Sequence, residues 1–157
     1  MFKSGSVLYG LFNLRAEQKR KYVIILHNDG QGCVITTFTT SQIRGSLNPS
    51  HGANPKDNPV CYVFKAKTVI GTKADGSGFY FPLDTTIVSD YGYSQELIQN
   101  FQKKATGLIK VCDLHRHEYE SLLYTLYKCK LVEKKYKLIF EKVLYELGKQ
   151  YQQTSTT

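Results

Sequence analysis

A predicted β-hairpin begins with an arginine and ends with a run of hydroxyl side chains. Arg20 precedes the apolar run 22–26, and the β-branched run 33–39 leads into Thr40. Apolar and β-branched runs of this length are typical of strands. Between them, residues 28–32 contain an Asp-Gly step, which is typical of a hairpin turn. The sequence therefore predicts two antiparallel strands whose far ends carry the arginine and the hydroxyls.

The register of this hairpin decides what the arginine meets. If His27 faces Cys33 across the turn, Arg20 faces Thr40, and directly opposed side chains have Cβ atoms about 5 Å apart. A guanidinium and hydroxyl donors suit the negative charge that develops when an RNA 2′-hydroxyl attacks the adjacent phosphorus. Arg20 would stabilise that charge rather than act as a base, because its pKa is too high. The alternative is a surface arginine beside ordinary strand-end threonines.

The charge of the chain indicates a polyanionic partner. The 157 residues carry a net charge of +8, and both ends are more basic than the middle. This charge suits RNA, DNA, an acidic lipid surface or an acidic protein segment. The alternative is a small protein that is merely basic.

The cysteines and the hydropathy exclude several classes of protein. Four cysteines at positions 33, 61, 112 and 129 form no CxxC motif and no metal-like spacing. We therefore expect reduced thiols in a cytoplasmic protein, with no disulfide framework and no metal site. The N-terminus lacks the apolar core of a signal peptide, and the longest aliphatic run, 23–26, is too short to cross a bilayer. No membrane partner is expected.

The periodicity predicts a mainly β protein with C-terminal helices, in the α+β class. The predicted strands are 6–12, 22–26, 33–39, 60–67, 78–81, 85–89 and 108–111. About five to seven short strands usually close into a small barrel with helices packed against it. Two C-terminal helices are predicted at 118–127 and 136–147, with Gly148 as C-cap. A shorter helix is predicted over 94–104.

The chain length suits a single domain. We expect this domain to cover residues 1–149, with long loops at 45–59 and 74–105. The polar tail 150–157 is expected to be disordered.

The hairpin resembles the start of a known toxin family. Segments 20–29 (RKYVIILHND) and 39–43 (TTSQI) are similar to the second and third strands of MazF/PemK-type toxin endoribonucleases. Further similarity lies in the first strand at 5–12, in Glu17 and Gln18 of the following loop, and in segments 108–122 and 131–148. The matched blocks cover about half of the chain.

The resemblance implies an activity and a site. Arg20 and Thr40 would be the catalytic pair of an enzyme that cleaves single-stranded RNA with neither metal nor cofactor. The implied fold is an SH3-like, PemK-type barrel with C-terminal helices, a homodimer silenced by a cognate antitoxin peptide. The RNA-binding residues would be Glu17, Gln18, Lys19, Lys21, Thr39, Ser41, Gln42 and Arg44. The sequence departs from the family at Lys21, where proline is usual, and at Asp113, where an Asp/Glu-Gln pair is usual.

A non-catalytic function on the same scaffold is the alternative. The protein would then hold RNA without cleaving it, or inhibit a protein target as gyrase-type toxins do. Fragments formed from single-stranded RNA in EDTA would favour the enzyme. Tight, salt-sensitive binding without cleavage would favour the binding protein.

Other groups of residues give weaker predictions. His27 lies roughly 23 Å from Arg20 along one strand, so it is expected to have a structural role. His115 and His117 lack a third ligand at useful spacing for a metal. The glycine-rich segment 71–78 is expected to be a hairpin loop, because it lacks the order of a phosphate-binding loop.

Two further groups have two interpretations each. Tyr91 and Tyr93 could stack on bases or pack a loop onto the barrel. The lysines between residues 128 and 137 are expected to form a solvated helix face first and an RNA-facing surface second.

Overall fold

The computed structural model describes residues 1–42, 48–57, 60–88 and 93–155, with side chains through residue 149. Ten strands and three helices lie in these ranges. In chain order they are β1 (Ser6–Asn13), β2 (Gln18–Asn28), β3 (Cys33–Phe38), β4 (Gly52–Asn54), β5 (Cys61–Phe64), β6 (Gly71–Thr72), β7 (Gly78–Phe79), β8 (Thr85–Val88), β9 (Tyr93–Leu97), α1 (Ile98–Gln102), β10 (Ala105–Leu114), α2 (Arg116–Lys128) and α3 (Lys134–Ser155).

Seven strands form one antiparallel sheet in the order β7-β6-β10-β1-β2-β3-β9. Its centre is covered on both faces, as β2 shows. Ile24 and Leu26 join the main core, whereas Val23 and Ile25 join a second core on the opposite face. All four side chains are fully buried. Consecutive strand residues point to opposite faces, so a strand covered on both must be apolar at every position. The prediction that this strand is covered on both faces is confirmed.

The strands β4, β5 and β8 form a second, smaller sheet. An isolated bridge between Thr40, just past β3, and Thr86 of β8 connects it to the larger sheet. Every residue of β5 is buried, and Phe64 of that strand packs against Phe81 with ring centroids 5.5 Å apart. The main core therefore extends from the larger sheet into the smaller one.

The helices α2 and α3 cover the main core. Leu122, Leu126 and Phe140 are fully buried there, and the Tyr119 hydroxyl donates to the Leu26 carbonyl at 2.7 Å. Apolar residues recurring at three- and four-residue steps place these side chains on one face of each helix. The two predicted C-terminal helices are confirmed. Among the described residues, no helix combines the length and the apolar character needed to cross a membrane.

Two predictions about secondary structure are wrong. The segment predicted as a helix over 94–104 begins as β9, whose backbone pairs with β3 from Thr37↔Tyr93 to Cys33↔Leu97. Pairing with β3 at the sheet edge overrides the weak local helical pattern, and only α1 remains helical. The helix α3 also continues past Gly148 to Ser155, through most of the predicted disordered tail.

The larger sheet is not a closed barrel. β7 and β9 occupy its two edges, and no ladder joins them in the described ranges. The strand count exceeds the predicted one because β4, β6 and β9 were not predicted as strands, and β9 and α1 lie in segment 74–105, which was predicted as a long loop. Segment 45–59 contains β4, and residues 45–47 and 58–59 lie outside the described ranges. The mainly β architecture with C-terminal helices is confirmed.

Candidate nucleic-acid interface

Arg20 lies on the exposed end of β2, opposite Leu11 of β1. The ladder with β3 does not extend this far. It runs out at Tyr22, whose carbonyl accepts the Thr39 amide at 3.2 Å. The prediction that Arg20 faces Thr40 across the hairpin is therefore wrong.

The register differs because the turn closes at a different pair. His27 does not face Cys33; the pair nearest the turn is Asn28↔Val34. Asp29 holds this turn, since its carboxylate accepts the Cys33 amide at 3.0 Å. A bulge in β2 then reduces this shift in register. Along the rest of the ladder, the pairing differs from the predicted register by one residue.

Thr40 leaves the larger sheet and joins the smaller one. Its amide donates to the Thr86 carbonyl at 2.9 Å, and its carbonyl accepts the Thr86 amide at 2.8 Å. Its hydroxyl accepts the Gln42 amide at 3.2 Å. The hydroxyl predicted to meet a phosphate therefore stabilises a local turn, and within the described residues no hydrogen bond joins it to Arg20.

Several of the predicted RNA-binding residues are engaged within the protein. Thr39 is only 5% exposed, and its hydroxyl donates to the Tyr22 carbonyl at 3.3 Å. Lys19 forms an ion pair with Glu17 at 3.2 Å. The Gln18 amide donates to the side chain of the last residue of β1 at 2.8 Å. The Thr39 contact joins the end of β3 to β2, and the other two contacts lie at the end of the β1–β2 hairpin.

The other predicted RNA-binding residues differ in exposure. Ser41 and Gln42 are exposed, and Lys21 is partly buried. Arg44 lies outside the described residues.

A tyrosine pair beside Arg20 was not predicted. Tyr9 and Tyr22 are directly opposite each other on β1 and β2, with ring centroids 4.5 Å apart and ring planes at 40°. Tyr22 also packs edge-on against Phe81, with centroids 4.9 Å apart. The pair is thus anchored on the core while both rings stay partly exposed.

Arg20, Leu11 and the tyrosine pair share one face of the sheet. Side chains two residues apart in a strand point to the same side, so Arg20 follows Tyr22 and Leu11 follows Tyr9. Ile109 of β10, paired with Tyr9, is also exposed. The result is a partly open, apolar and aromatic strip that ends in a guanidinium. The two-residue spacing of Tyr9 with Leu11 and of Arg20 with Tyr22 is the signal that could have revealed it.

The ionisation of the strip fits a binding surface better than an acid–base site. Burial, with smaller contributions from Tyr9 and Cys112, raises the pKa of Tyr22, so its phenol stays protonated at neutral pH. Arg20 makes no hydrogen bond or ion pair with a side chain of the described residues. Its guanidinium is therefore available to a ligand, whereas no neighbouring group of the strip acts as a base.

Asp113, where the sequence departs from the family, is committed to the fold. Its carboxylate accepts the Ser6 hydroxyl at 2.9 Å and pairs with Lys110 at 2.7 Å. Partial burial opposes ionisation, but these two contacts outweigh it and hold the pKa of Asp113 below its usual value. Its role is to join β1 to β10.

A buried polar network elsewhere in the molecule has a structural role. The Glu118 carboxylate, in a residue 5% exposed, accepts the Tyr62 hydroxyl and, at 2.7 Å, the Nε2–H of His51. The Nδ1 of His51 accepts the Lys65 amide at 3.1 Å, which assigns the ring proton to Nε2. Both nitrogens of His51 are occupied, so the network connects the smaller sheet to α2 and offers no free base. Its members are too far apart in the sequence to be associated by spacing.

The other histidines lie away from Arg20. His27 lines a cavity of about 480 Å³ between the turn end of β2 and α3, together with Lys142 and Glu146. Burial lowers the pKa of His27, although Asp29 and Glu146 oppose the shift. His27 thus stands at the opposite end of β2 from Arg20.

The histidine pair at the start of α2 offers no metal site. His115 contacts the Thr72 hydroxyl at 3.2 Å, and its ring lies 5.8 Å from that of His117. In the described part of the chain, no three histidine, cysteine or acidic side chains are grouped to hold a metal ion. Segment 71–78 forms the β6–β7 hairpin, as predicted.

Comparisons with protein-family models, with curated proteins and with solved structures returned no match to this chain.

Proposed function

We propose that the protein binds single-stranded RNA on the strip formed by Tyr9, Leu11, Arg20 and Tyr22. The observation that carries this proposal is the position of the tyrosine pair on the same sheet face as an uncommitted arginine. Aromatic rings on an open sheet stack with unpaired bases, and a guanidinium can hold a phosphate with two hydrogen bonds. A duplex offers no unstacked bases to such a surface.

The net charge of the chain supports a nucleic-acid partner. At +8, the protein attracts a polyanion over long distance, whereas the strip orders the strand at short range. The two contributions differ in their dependence on salt, since stacking persists where charge attraction is screened.

Metal-independent cleavage of the bound RNA is the second proposed function. It is favoured by the free guanidinium of Arg20 and by the resemblance to MazF/PemK-type endoribonucleases. In this reaction the 2′-hydroxyl loses its proton to water and attacks the adjacent phosphorus, the bond to the 5′-oxygen breaks, and that oxygen takes up a proton from water. Arg20 would stabilise the charge on the phosphoryl oxygens. The turn made by the Thr40 hydroxyl would have to open before Thr40 could contribute.

The remaining proposals follow from the same resemblance. We propose a PemK-type relative of the SH3-like fold with an opened sheet, located in the cytoplasm, where RNA is the available substrate. A homodimer and a cognate antitoxin peptide are the proposed partners. Sedimentation of the purified protein and copurification from its native host would test these two partners.

One experiment tests both functions. Labelled single-stranded RNA of about 12 nucleotides would be titrated with the protein in EDTA, followed by anisotropy and by gel analysis. Binding of the single strand well above that of a matched duplex is expected. Fragments with a 2′,3′-cyclic phosphate would add cleavage. Equal affinity for duplex and single strand would contradict binding on the strip.

A further inference from the structure

The outer face of the α2–α3 helical hairpin carries a group of exposed apolar side chains. Tyr124 is 56% exposed, Leu131 54%, Leu138 57% and Tyr145 71%. Single exposed apolar residues are ordinary on protein surfaces, whereas a group of four on one structural unit indicates an interaction site.

Contacts between the two helices show that they run antiparallel. The Tyr127 hydroxyl donates to Glu141 at 3.1 Å, and the Arg116 guanidinium donates to the Leu147 carbonyl at 2.8 Å. Residues later in α2 therefore lie beside residues earlier in α3.

This arrangement places the four apolar side chains along one seam. Tyr124 lies one turn before Tyr127 on α2, and Tyr145 lies one turn after Glu141 on α3. Because Tyr127 contacts Glu141, Tyr124 and Tyr145 lie at the same level of the hairpin. Leu138 stands two turns before Tyr145 on the same stripe of α3, opposite the residues that face the core. Leu131 lies in the turn that connects the helices. The seam thus runs along the hairpin with tyrosines at one end and leucines at the other.

The seam is bordered by positive charge. Residues 128–149 contain seven lysines and three glutamates, a net charge of +4. Lys134 and Lys149 lie within about one helical turn of Leu138 or Tyr145 on the outer face, and Lys142, which also lines the cavity with His27, lies at the edge of that face. No ion pair joins these three lysines to another described residue. A partner on this face must therefore supply both apolar and acidic side chains.

We propose that this face binds an acidic amphipathic helix of a partner protein, laid along the seam. A helix presents apolar residues in a narrow stripe with charges on both flanks, which matches a narrow seam with a lysine border. A second copy of the chain is disfavoured, because its own lysine border would face this one. This inference is independent of RNA binding on the β1–β2 strip.

The shape of the seam argues against other occupants. A membrane requires a broad apolar face, and here the lysine border and Glu141 leave the apolar side chains of α3 as a narrow stripe. RNA would use the lysines without needing Leu138.

The test uses the full-length protein and synthetic peptides of about 20 residues. One peptide has leucines on a single helical face and glutamates on the flanks. Its control has the same composition in an order that disperses the leucines. Labelled-peptide anisotropy is expected to show binding of the first peptide only. The substitutions Leu138→Ser and Tyr145→Ser are each expected to weaken that binding about tenfold, as is typical of contacts at the centre of an interface.

A matched control is Leu83→Ser, because Leu83 is 62% exposed and lies outside the helical hairpin. It is expected to leave peptide binding unchanged. Equal binding of the dispersed peptide, or equal loss in Leu83→Ser, would overturn the proposal. It would also be overturned if the peptide did not bind and Leu138→Ser weakened the binding of anionic vesicles or of single-stranded RNA. The RNA titration in EDTA remains a separate measurement, so the two proposals can fail independently.

Discussion

Thr40 and Thr86 exchange both of their backbone hydrogen bonds and so fix the smaller sheet to the end of β3. This bridge takes the chain away from β2 just after Tyr22. It separates Thr40 from Arg20 and leaves the exposed end of β2 paired with β1. The bridge thus removes the predicted hydroxyl partner of Arg20 and leaves open the strip on which RNA binding is proposed.

Replacing Thr40 tests whether its backbone or its side chain matters. Thr40→Pro removes the amide that donates to Thr86, so we expect the free energy of unfolding to fall by about 1–3 kcal/mol. Thr40→Val keeps both backbone bonds and should cost less than about 1 kcal/mol. Urea denaturation measures both. Equal losses in the two variants would show that the hydroxyl, not the bridge, is what stabilises this junction.

Arg20→Ala tests the guanidinium in RNA binding and cleavage. The side chain is exposed, so the free energy of unfolding should change by less than about 0.5 kcal/mol. RNA affinity should fall about tenfold, and any cleavage should be lost. Arg20→Lys should restore part of the binding, because it keeps the charge but not the forked geometry.

The control for this prediction is Lys56→Ala, which removes an exposed cation from the loop after β4. Anisotropy and gel analysis should resemble the wild type. If Lys56→Ala weakened binding as much as Arg20→Ala, the RNA contact would be general charge attraction rather than the strip.

Tyr9 is the tyrosine of the pair better suited to testing base stacking, because Tyr22 packs on Phe81. Tyr9→Ala should weaken binding of single-stranded RNA by about 1–3 kcal/mol, the usual contribution of one stacked base. Tyr9→Phe keeps the ring and should bind like the wild type. A loss that persists at high salt would identify stacking, whereas a loss equal in the two variants would exclude it.

Tyr62→Phe tests the buried network around Glu118. The substitution removes one donor to a buried carboxylate, so we expect a loss of about 1–3 kcal/mol in the free energy of unfolding. Tyr80→Phe, at an exposed tyrosine, is the matched control and should be nearly neutral. RNA binding should survive Tyr62→Phe, because the substitution keeps the ring that packs on Phe64 and so leaves the aromatic contacts that reach Tyr22 in place. Loss of RNA binding by the folded variant would assign the network a functional role.

The lowered pKa of His27 predicts a dependence of stability on pH. Because burial favours the neutral ring, the unfolded chain binds the proton more readily than the folded protein. This contribution to stability is present above the unfolded pKa, about 6.5, and is lost as pH falls through the folded pKa. His27→Gln should therefore flatten the fall in unfolding free energy between about pH 7 and pH 5. His117→Gln, which changes an exposed histidine, should leave the slope nearly unchanged.

The sequence predicted most of the central strands and both long helices, for local reasons. The continuous apolar run in β2 requires cover on both faces, and the helical repeat in 118–127 requires one buried face. Each pattern is contained in a few neighbouring residues. The hairpin turn at Asp29 is equally local, because Asp29 bonds to backbone amides two and four residues away.

Register and sheet closure could not be predicted in this way. The pairing of β9 with β3 and the Thr40–Thr86 bridge each join distant segments, and the residue types of β2 do not mark the position of its bulge, so small energy differences between whole arrangements decide them. A shift of one residue sufficed to invalidate the predicted Arg20–Thr40 pair.

The amino-acid sequence by itself determined that this protein has a guanidinium at the head of an apolar strand, a basic net charge and two amphipathic C-terminal helices. Only the tertiary structure decided which side chains lie beside Arg20. Strand order and register set the distance between residues far apart in the chain, and they placed Tyr9 and Tyr22 beside Arg20 while drawing Thr40 into the second sheet.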